Sequence, residues 1–486
     1  MKDSKPTPPG SGDVRTIRVA ALARVEGEGA LHLTMREGKV DEVRLEIYEP
    51  PRFFEGFLRG RDFMEVPDIT ARICGICPVA YQMSSCHALE KAVGIFDHID
   101  PWIRSMRNLL YCGEWIESHV LHMFMLHLPD FLGYESVISM AADHAPTVRR
   151  ALRIKKLGNE LVAALAGRSV HPVGVRVGGF YHAMTAARAA ELLRETEACL
   201  GEMIDLTLFL AQNVTYPDFQ RDYEYVALQS PDEYAMNLGK IVSSKGICVE
   251  LEEFLNVFEE SQVPHSTALH TRVRGRGAYH VGPLARLNLN AERLHPVALE
   301  ILPRVCDAVG ATLPWNNSFF SLPARGIETV HALAVAADVL RSYRVPSRSF
   351  VPAPPRAGAG AHGTEAPRGI LWQRYTVNDD GSVAHAHIIP PTAQNQMQIE
   401  LDLRALAETI VSLNDDAACQ RCEHLIRNYD PCISCSVHFL KLRRRWLDAA
   451  GRPINPPVGR RPAPAKGGSN DRSPRPRRRA GRGRRQ

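Results

Sequence analysis

Two Cys-x-x-Cys pairs lie far apart in this chain. One is Arg72-Ile73-Cys74-Gly75-Ile76-Cys77-Pro78; the other is Asp430-Pro431-Cys432-Ile433-Ser434-Cys435-Ser436-Val437-His438. Each pair offers two thiolates that can grip one soft metal from one side. Brought together by the fold, they would converge four sulfurs on one point, which suits zinc, an iron–sulfur cluster or another thiophilic first-row metal. Structural zinc ligands usually sit within one short module, whereas 354 residues separate Cys77 from Cys432. A site closed by two distant segments of a large domain reads as a catalytic centre, with a structural zinc or a pair of redox dithiols as the alternatives. A third pair, Cys419-Gln420-Arg421-Cys422, is read as non-ligating.

The residues flanking the two pairs resemble the two signatures of the nickel–iron hydrogenase large subunit. The resemblance runs from about Ile17 to His438, and within that family the chain looks most like the cytosolic, NAD(P)-linked bidirectional branch. It implies that Cys74 and Cys432 bind nickel only, that Cys77 and Cys435 bridge nickel and iron, and that the iron carries one carbonyl and two cyanides. The implied activity is reversible heterolytic cleavage of dihydrogen.

Further motifs match the same family. In Arg24-Val25-Glu26-Gly27, the resemblance makes Glu26 a proton relay beside a metal-bound cysteine. Such a role needs a carboxylate whose affinity for protons is raised by burial; a plain surface carboxylate is the other reading. Arg52-Phe53-Phe54-Glu55 has Phe53 where the family has glycine, but Glu55 keeps the register of a magnesium ligand, a role shared with His438. A carboxylate with retained waters suits magnesium, and an ion pair of Glu55 with Arg59 is the alternative. Asp130 matches a family acid lying over the metal site. Glu365-Ala366-Pro367-Arg368-Gly369 places Arg368 against the iron-bound cyanides, with Pro367 and Leu371 around those ligands; a surface arginine in a turn is the alternative. Thr392, in Pro391-Thr392-Ala393-Gln394-Asn395, is expected to reach another cyanide from a loop, and Asp430 to tune the site from behind.

Composition limits the rest. The 486 residues are 45% hydrophobic, enough for a large core. No apolar run reaches the length of a membrane helix, and the polar beginning, MKDSKPTPPGSGDV, lacks the apolar segment of a signal peptide. Eleven cysteines in such a chain point to reduced thiols and a cytoplasmic setting. The net charge of +5 is misleading: Phe439 onward carries 16 Lys/Arg against 2 Asp/Glu, which leaves residues 1–438 at −9. The resemblance makes 439–486 a basic extension removed on maturation by an endopeptidase that cuts after His438. Residues 1–14 read as a disordered leader and 15–438 as one catalytic domain. There is no Gly-x-Gly-x-x-Gly or Gly-Lys-Ser/Thr loop. Electrons would therefore leave through a partner: a small subunit with iron–sulfur clusters, and beyond it flavin (FAD or FMN) and NAD(P)-reducing subunits. Metal chaperones would build the centre. No membrane span and no nucleic-acid partner are expected. A metal-free or zinc-bound relative serving as an interaction or polyanion-binding protein is the competing reading.

The elements that must position these residues follow from periodicity. Alternating apolar residues in 16–20, 30–35 and 40–47 predict a small antiparallel sheet. Three- and four-residue apolar spacing predicts helices over 79–93, 101–128, 148–166, 185–212, 291–309, 326–341 and 399–413. The Pro/Gly/Ala-rich stretch Val345–Gly363 reads as a loop or insertion. The predicted fold is α+β and mostly α: a large helical bundle with a small N-terminal antiparallel sheet.

Overall fold

The structure is a computed structural model that describes residues 14–19, 21–36, 39–49 and 53–437, with the backbone of 446–447 and 453–454. The magnesium-ligand expectation for His438 and the expectations for the leader and basic extension lie outside the described residues. Two units separate, Met1–Leu440 and Lys441–Gln486; in the second, Trp446–Leu447 pairs antiparallel with Pro453–Ile454.

The first unit opens with β1 (Val14–Val19), β2 (Gly29–Arg36) and β3 (Lys39–Ile47), an antiparallel sheet in the order β1-β2-β3, as the alternation predicts. Its apolar face carries Ile17, Leu31, Leu33, Met35 and Leu45, each at most 2% exposed. Next come α1 (Pro78–Val93), α2 (Pro101–Val120), α3 (Ala145–Ala166) and α4 (Ala186–Asn213). A hairpin of β4 (Phe258–Gln262) and β5 (Leu269–Val273) precedes α5 (Pro296–Val309) and α6 (Ser321–Arg341). The unit closes with the antiparallel sheet β6 (Gly358–Ala366), β7 (Gly369–Val377) and β8 (Val383–Ile389), then α7 (Pro391–Thr409) and α8 (Asp415–Asn428). Helices α2, α3, α4 and α6 pack on one another around the largest apolar cluster. Proline at the first turn of α1, α2, α3, α5 and α7 suits their starts, where its missing N–H has no helical partner. All eleven cysteines are free thiols. Among the described residues no helix is long and apolar enough to cross a membrane.

Several expectations change. The helix expected over 101–128 ends as an α-helix at Val120, passes through a π-helical turn, Leu121–His127, and resumes at Leu128–Leu132. The helix expected from Ile399 starts at Pro391, so Thr392 sits in a first helical turn and not in a loop. Helix α5 begins at Pro296 after a short 3-10 turn, and α6 reaches back to Ser321. The stretch read as a loop to Gly363 is a strand from Gly358 onward. Glycine and alanine are poor strand formers, but here they let α1 lie on β6. A Cβ at Gly358 would stand 2.0 Å from the Ala92 carbonyl oxygen, and one at Gly360 2.1 Å from that of Ala88.

The β6–β7 turn carries Arg368 and is fixed from below by Arg286, which is fully buried. Its guanidinium donates to both Glu328 oxygens at 2.7 Å, to Glu365 Oε2 at 3.0 Å, and to the carbonyls of Ala366 and Pro367 at 2.9 and 3.1 Å. Both carboxylates are 0% exposed. Arg286→Met would leave two buried carboxylates without their cation, which costs about 3–5 kcal/mol. We expect earlier thermal unfolding of the purified chain; an unchanged melting temperature would contradict this account of the turn.

Candidate metal centre

The four cysteines meet. Cys74 and Cys77 come from the turn entering α1, with Cys77 as its N-cap residue; Cys432 and Cys435 come from the short helix Ile433–Ser436 and the residue before it. Their sulfurs lie within 4.8 Å of one another. Within pairs the separations are 2.7 and 2.6 Å; across pairs, Cys74 to Cys432 is 3.5 Å and Cys77 to Cys435 is 3.8 Å. All four are at most 5% exposed. Burial disfavours charge on each sulfur. At Cys74 this is outweighed by hydrogen bonds from Cys432, Cys435 and Cys77 and by the Arg368 charge, which hold it well below the usual thiol range. Burial and the neighbouring sulfurs push Cys77 and Cys432 well up, and Cys435 up to about 11, burial being the main cause. Metal binding would therefore release protons from most of the set. Cys419 and Cys422 lie on α8, with Cys422 packed in a separate apolar cluster, and neither joins the four.

Glu26 stands directly beside this set. Its Oε2 accepts from Cys432 Sγ at 3.1 Å and from the Ser434 N–H at 3.1 Å. Its backbone pairs in parallel with Cys432, and its carbonyl accepts the Ile433 N–H at 2.9 Å. The next residue, Gly27, has φ +90°, and a Cβ there would stand 2.5 Å from Glu49 Oε1 and 2.7 Å from Ile433 Cβ. No other residue type fits between them without a shift. Glu49 takes the Ser434 hydroxyl at 2.9 Å and the Glu28 N–H at 2.8 Å.

Arg368 is 3% exposed, not the surface arginine of the alternative reading. It donates through Nε to the Asp430 carbonyl at 2.6 Å and through Nη2 to Asp430 Oδ1 at 3.2 Å. Burial alone would lower its affinity for a proton; Asp430 and the cysteine sulfurs more than offset that, so it stays charged. Its Nη1 is buried with no partner. Thr392 Oγ1 accepts the Cys432 N–H at 3.0 Å. A cavity of about 10 Å³, roughly the space of one water, is lined by Cys77, Cys432, Cys435, Arg368, Leu371 and Thr392, together with Tyr81, Ala366 and Pro391. Four sulfurs around a pocket with an unpartnered guanidinium N–H fit a soft metal group that carries anionic ligands of its own.

Three expected residues stand elsewhere. The Asp130 carboxylate holds Arg24, in a contact between Arg24 Nη2 and Asp130 Oδ1, and Arg427 Nε at 2.6 Å. It fixes the turn that presents Glu26; its contacts among the described residues do not include the cysteines. Pro367 is buried, and its carbonyl serves Arg286. Glu55 accepts the Ile388 N–H through Oε1 at 2.8 Å, at the end of β8.

Two contributors were not foreseen. Tyr81 lines the cavity one helical turn after Cys77, an i+4 relation that was available in the sequence. Glu114, on α2, accepts the Val79 and Ala80 N–H groups at 2.6 and 3.1 Å. It caps α1 from a neighbouring helix, leaving the Cys77 side chain free of the capping role. No local pattern marks that pairing.

Known proteins share this arrangement of chain. A family model described as nickel-dependent hydrogenase matches residues 52–151. Sulfhydrogenase 1 subunit alpha of Pyrococcus furiosus is 33% identical over 442 residues, covering 88% of this chain and 98% of that protein. The NAD-reducing hydrogenase HoxS subunit beta of Cupriavidus necator is 28% identical over 487 residues, covering 91% and 99%. Among solved structures, an NAD+-reducing [NiFe]-hydrogenase in the H2-reduced state superposes with a TM-score of 0.75 at 25% identity, over 87% of this chain and 99% of that one. With matches of that length carried by the segments that bring the two cysteine pairs together, the chain belongs to the nickel-dependent hydrogenase family, as its large, catalytic subunit.

Proposed function

We propose that this chain performs the reversible heterolytic cleavage of dihydrogen on a nickel–iron centre held by Cys74, Cys77, Cys432 and Cys435, and that its electrons pass through an iron–sulfur small subunit to NAD(P). The observation that carries the reading is the Glu26 carboxylate 3.1 Å from Cys432 Sγ, inside a buried four-cysteine site. When bound, the metal pair supplies the place where dihydrogen is polarised and split.

The chain's own residues handle the proton. A proton held on Cys432 Sγ is within hydrogen-bonding reach of Glu26, the geometry a general base needs. From Glu26 the route outward runs along Ser434, whose N–H holds Glu26 and whose hydroxyl donates to Glu49, 8% exposed. Asp430 and Arg368 hold each other, so the guanidinium is fixed with one N–H free for an anionic diatomic ligand. Leu371 and Thr392 line the same side. In this reading Cys74 and Cys432 are terminal nickel ligands and Cys77 and Cys435 bridge to iron. Glu55 and His438 hold magnesium, and Asp130 positions the Glu26 turn. The printed name of the Cupriavidus relative, an NAD-reducing hydrogenase, supports NAD(P) as acceptor, flavin-bearing partner subunits and a cytoplasmic location.

The test is an infrared spectrum of the protein purified with its partners from a nickel-replete host, together with hydrogen-dependent reduction of NAD+ and NADP+. Carbonyl and cyanide stretches with nucleotide reduction are the expected result. Stretches without nucleotide reduction would keep the hydrogenase and reject the NAD(P) link. A blank spectrum with zinc bound would favour the structural-metal relative.

A further inference from the structure

Three side chains outside the four-cysteine set converge without any role in the chemistry above. His265 lies in the turn between β4 and β5, His270 on β5, and Glu400 within α7. Their ligating atoms are all within 4.8 Å of one another. His265 Nε2 is 2.8 Å from Glu400 Oε1, and that same oxygen accepts the Leu45 N–H at 2.9 Å. His270 is 4% exposed, and its Nε2 is buried with no hydrogen-bond partner. A buried ring nitrogen left unmet costs about 1–3 kcal/mol, and such groups in protein interiors are nearly always satisfied by something. Burial lowers the proton affinity of His270, with Glu400 opposing, so the ring is neutral and carries a lone pair.

We propose that His265, His270 and Glu400 form a second metal site, which takes a divalent transition ion of the zinc class. The donor set decides the class. Two imidazoles and one carboxylate suit zinc and its neighbours, whereas magnesium and calcium want oxygen ligands throughout. Tetrahedral zinc with bonds of about 2.0–2.1 Å sets its ligand atoms roughly 3.3 Å apart. The observed separations, from 2.8 Å up to the 4.8 Å limit, bracket that spacing. The His265 side chain is 18% exposed and has room to swing toward the centre. The Leu45 N–H already orients the carboxylate from behind, as outer partners do around bound metals. The other histidine–carboxylate group, His127, Asp130 and His424, lacks this character. Its carboxylate is occupied by Arg24 and Arg427, whose charges repel a cation.

The position gives the ion something to hold. Just before β5, Thr267 donates to the Ile47 carbonyl from its N–H and its hydroxyl, at 2.7 and 2.9 Å, and Ala268 pairs with Val437. An ion on His265, His270 and Glu400 ties the β4–β5 hairpin to α7, next to the segment that carries Cys432 and Cys435. Occupancy would stabilise the folded state by mass action.

The test uses the mature complex with its nickel–iron centre filled, so that the cysteines cannot take up added metal. Zinc is titrated in, excess is removed by dialysis, and bound zinc is counted by mass spectrometry in the wild type, His270→Ala, Glu400→Gln and His265→Gln. Infrared bands are recorded on each to verify that the centre is still loaded. The expected result is about one more zinc per chain in the wild type than in any variant, resistance to excess magnesium, and a zinc-dependent rise in melting temperature seen only in the wild type. Equal zinc in the wild type and variants would overturn the proposal. Should His270→Ala fail to fold, His265→Gln decides, because that ring is partly exposed; full zinc retention in it would sink the site.

Discussion

Replacing Cys435 by serine should remove nickel and hydrogen turnover together while leaving the fold in place. The side chain is 5% exposed, with its sulfur 2.6 Å from that of Cys432 and 3.8 Å from that of Cys77. Serine is close in size, so little cavity forms, but its hydroxyl is a hard, weakly acidic donor where a soft thiolate is required. Elemental analysis should show nickel at background, with infrared bands absent and the circular dichroism spectrum unchanged. Cys422→Ser is the matched control. That thiol is 0% exposed in an apolar cluster away from the four, so the variant should lose some stability and keep its nickel. Loss of nickel from Cys422→Ser with retention in Cys435→Ser would reassign the ligand set.

The second large effect is expected at Glu26. Glu26→Gln keeps an oxygen that can accept the Ser434 N–H but cannot take a proton from Cys432 Sγ. A positioned general base contributes about 10²–10⁴-fold, so hydrogen oxidation should fall by that factor with carbonyl and cyanide stretches nearly unmoved. The pairing of rate loss with an intact spectrum separates proton transfer from metal assembly. Gly27→Ala should behave differently. Its Cβ would press on Glu49 and Ile433, which disturbs the placement of Cys432 itself. A Glu26→Gln protein with wild-type turnover would show that protons leave by another path.

How far the sequence could be read depends on how local each signal is. The cysteine pairs were legible because chelation by two sulfurs is written into four consecutive residues. Glu26 was legible only as part of a motif, since its partner Ser434 is 408 positions away. Glu114 had no signal at all: its work is to cap a helix that begins 36 positions earlier in the chain. The N-terminal sheet was readable because one face is buried and the other is not, which forces alternation. Strand β6 was not, because its composition answers to the helix lying on it and not to strand propensity. The start of α7 was misplaced by eight residues although Pro391 is a helix-start signal, because the motif match around Thr392 was taken as a loop.

The π-helical turn at Leu121–His127 has a consequence for how this chain can vary. Such a turn amounts to one extra residue inserted into a helix. Removing any one of its residues would restore ordinary winding and rotate everything beyond it by about 100° about the axis. Asp130 would swing away from Arg24 and Arg427, and the turn presenting Glu26 would lose its anchor on the helix. A single-residue deletion in this segment is therefore a long-range lesion. It should be far less tolerated than any single substitution there, and a deletion scan along residues 101–132 would reveal it as a sharp minimum.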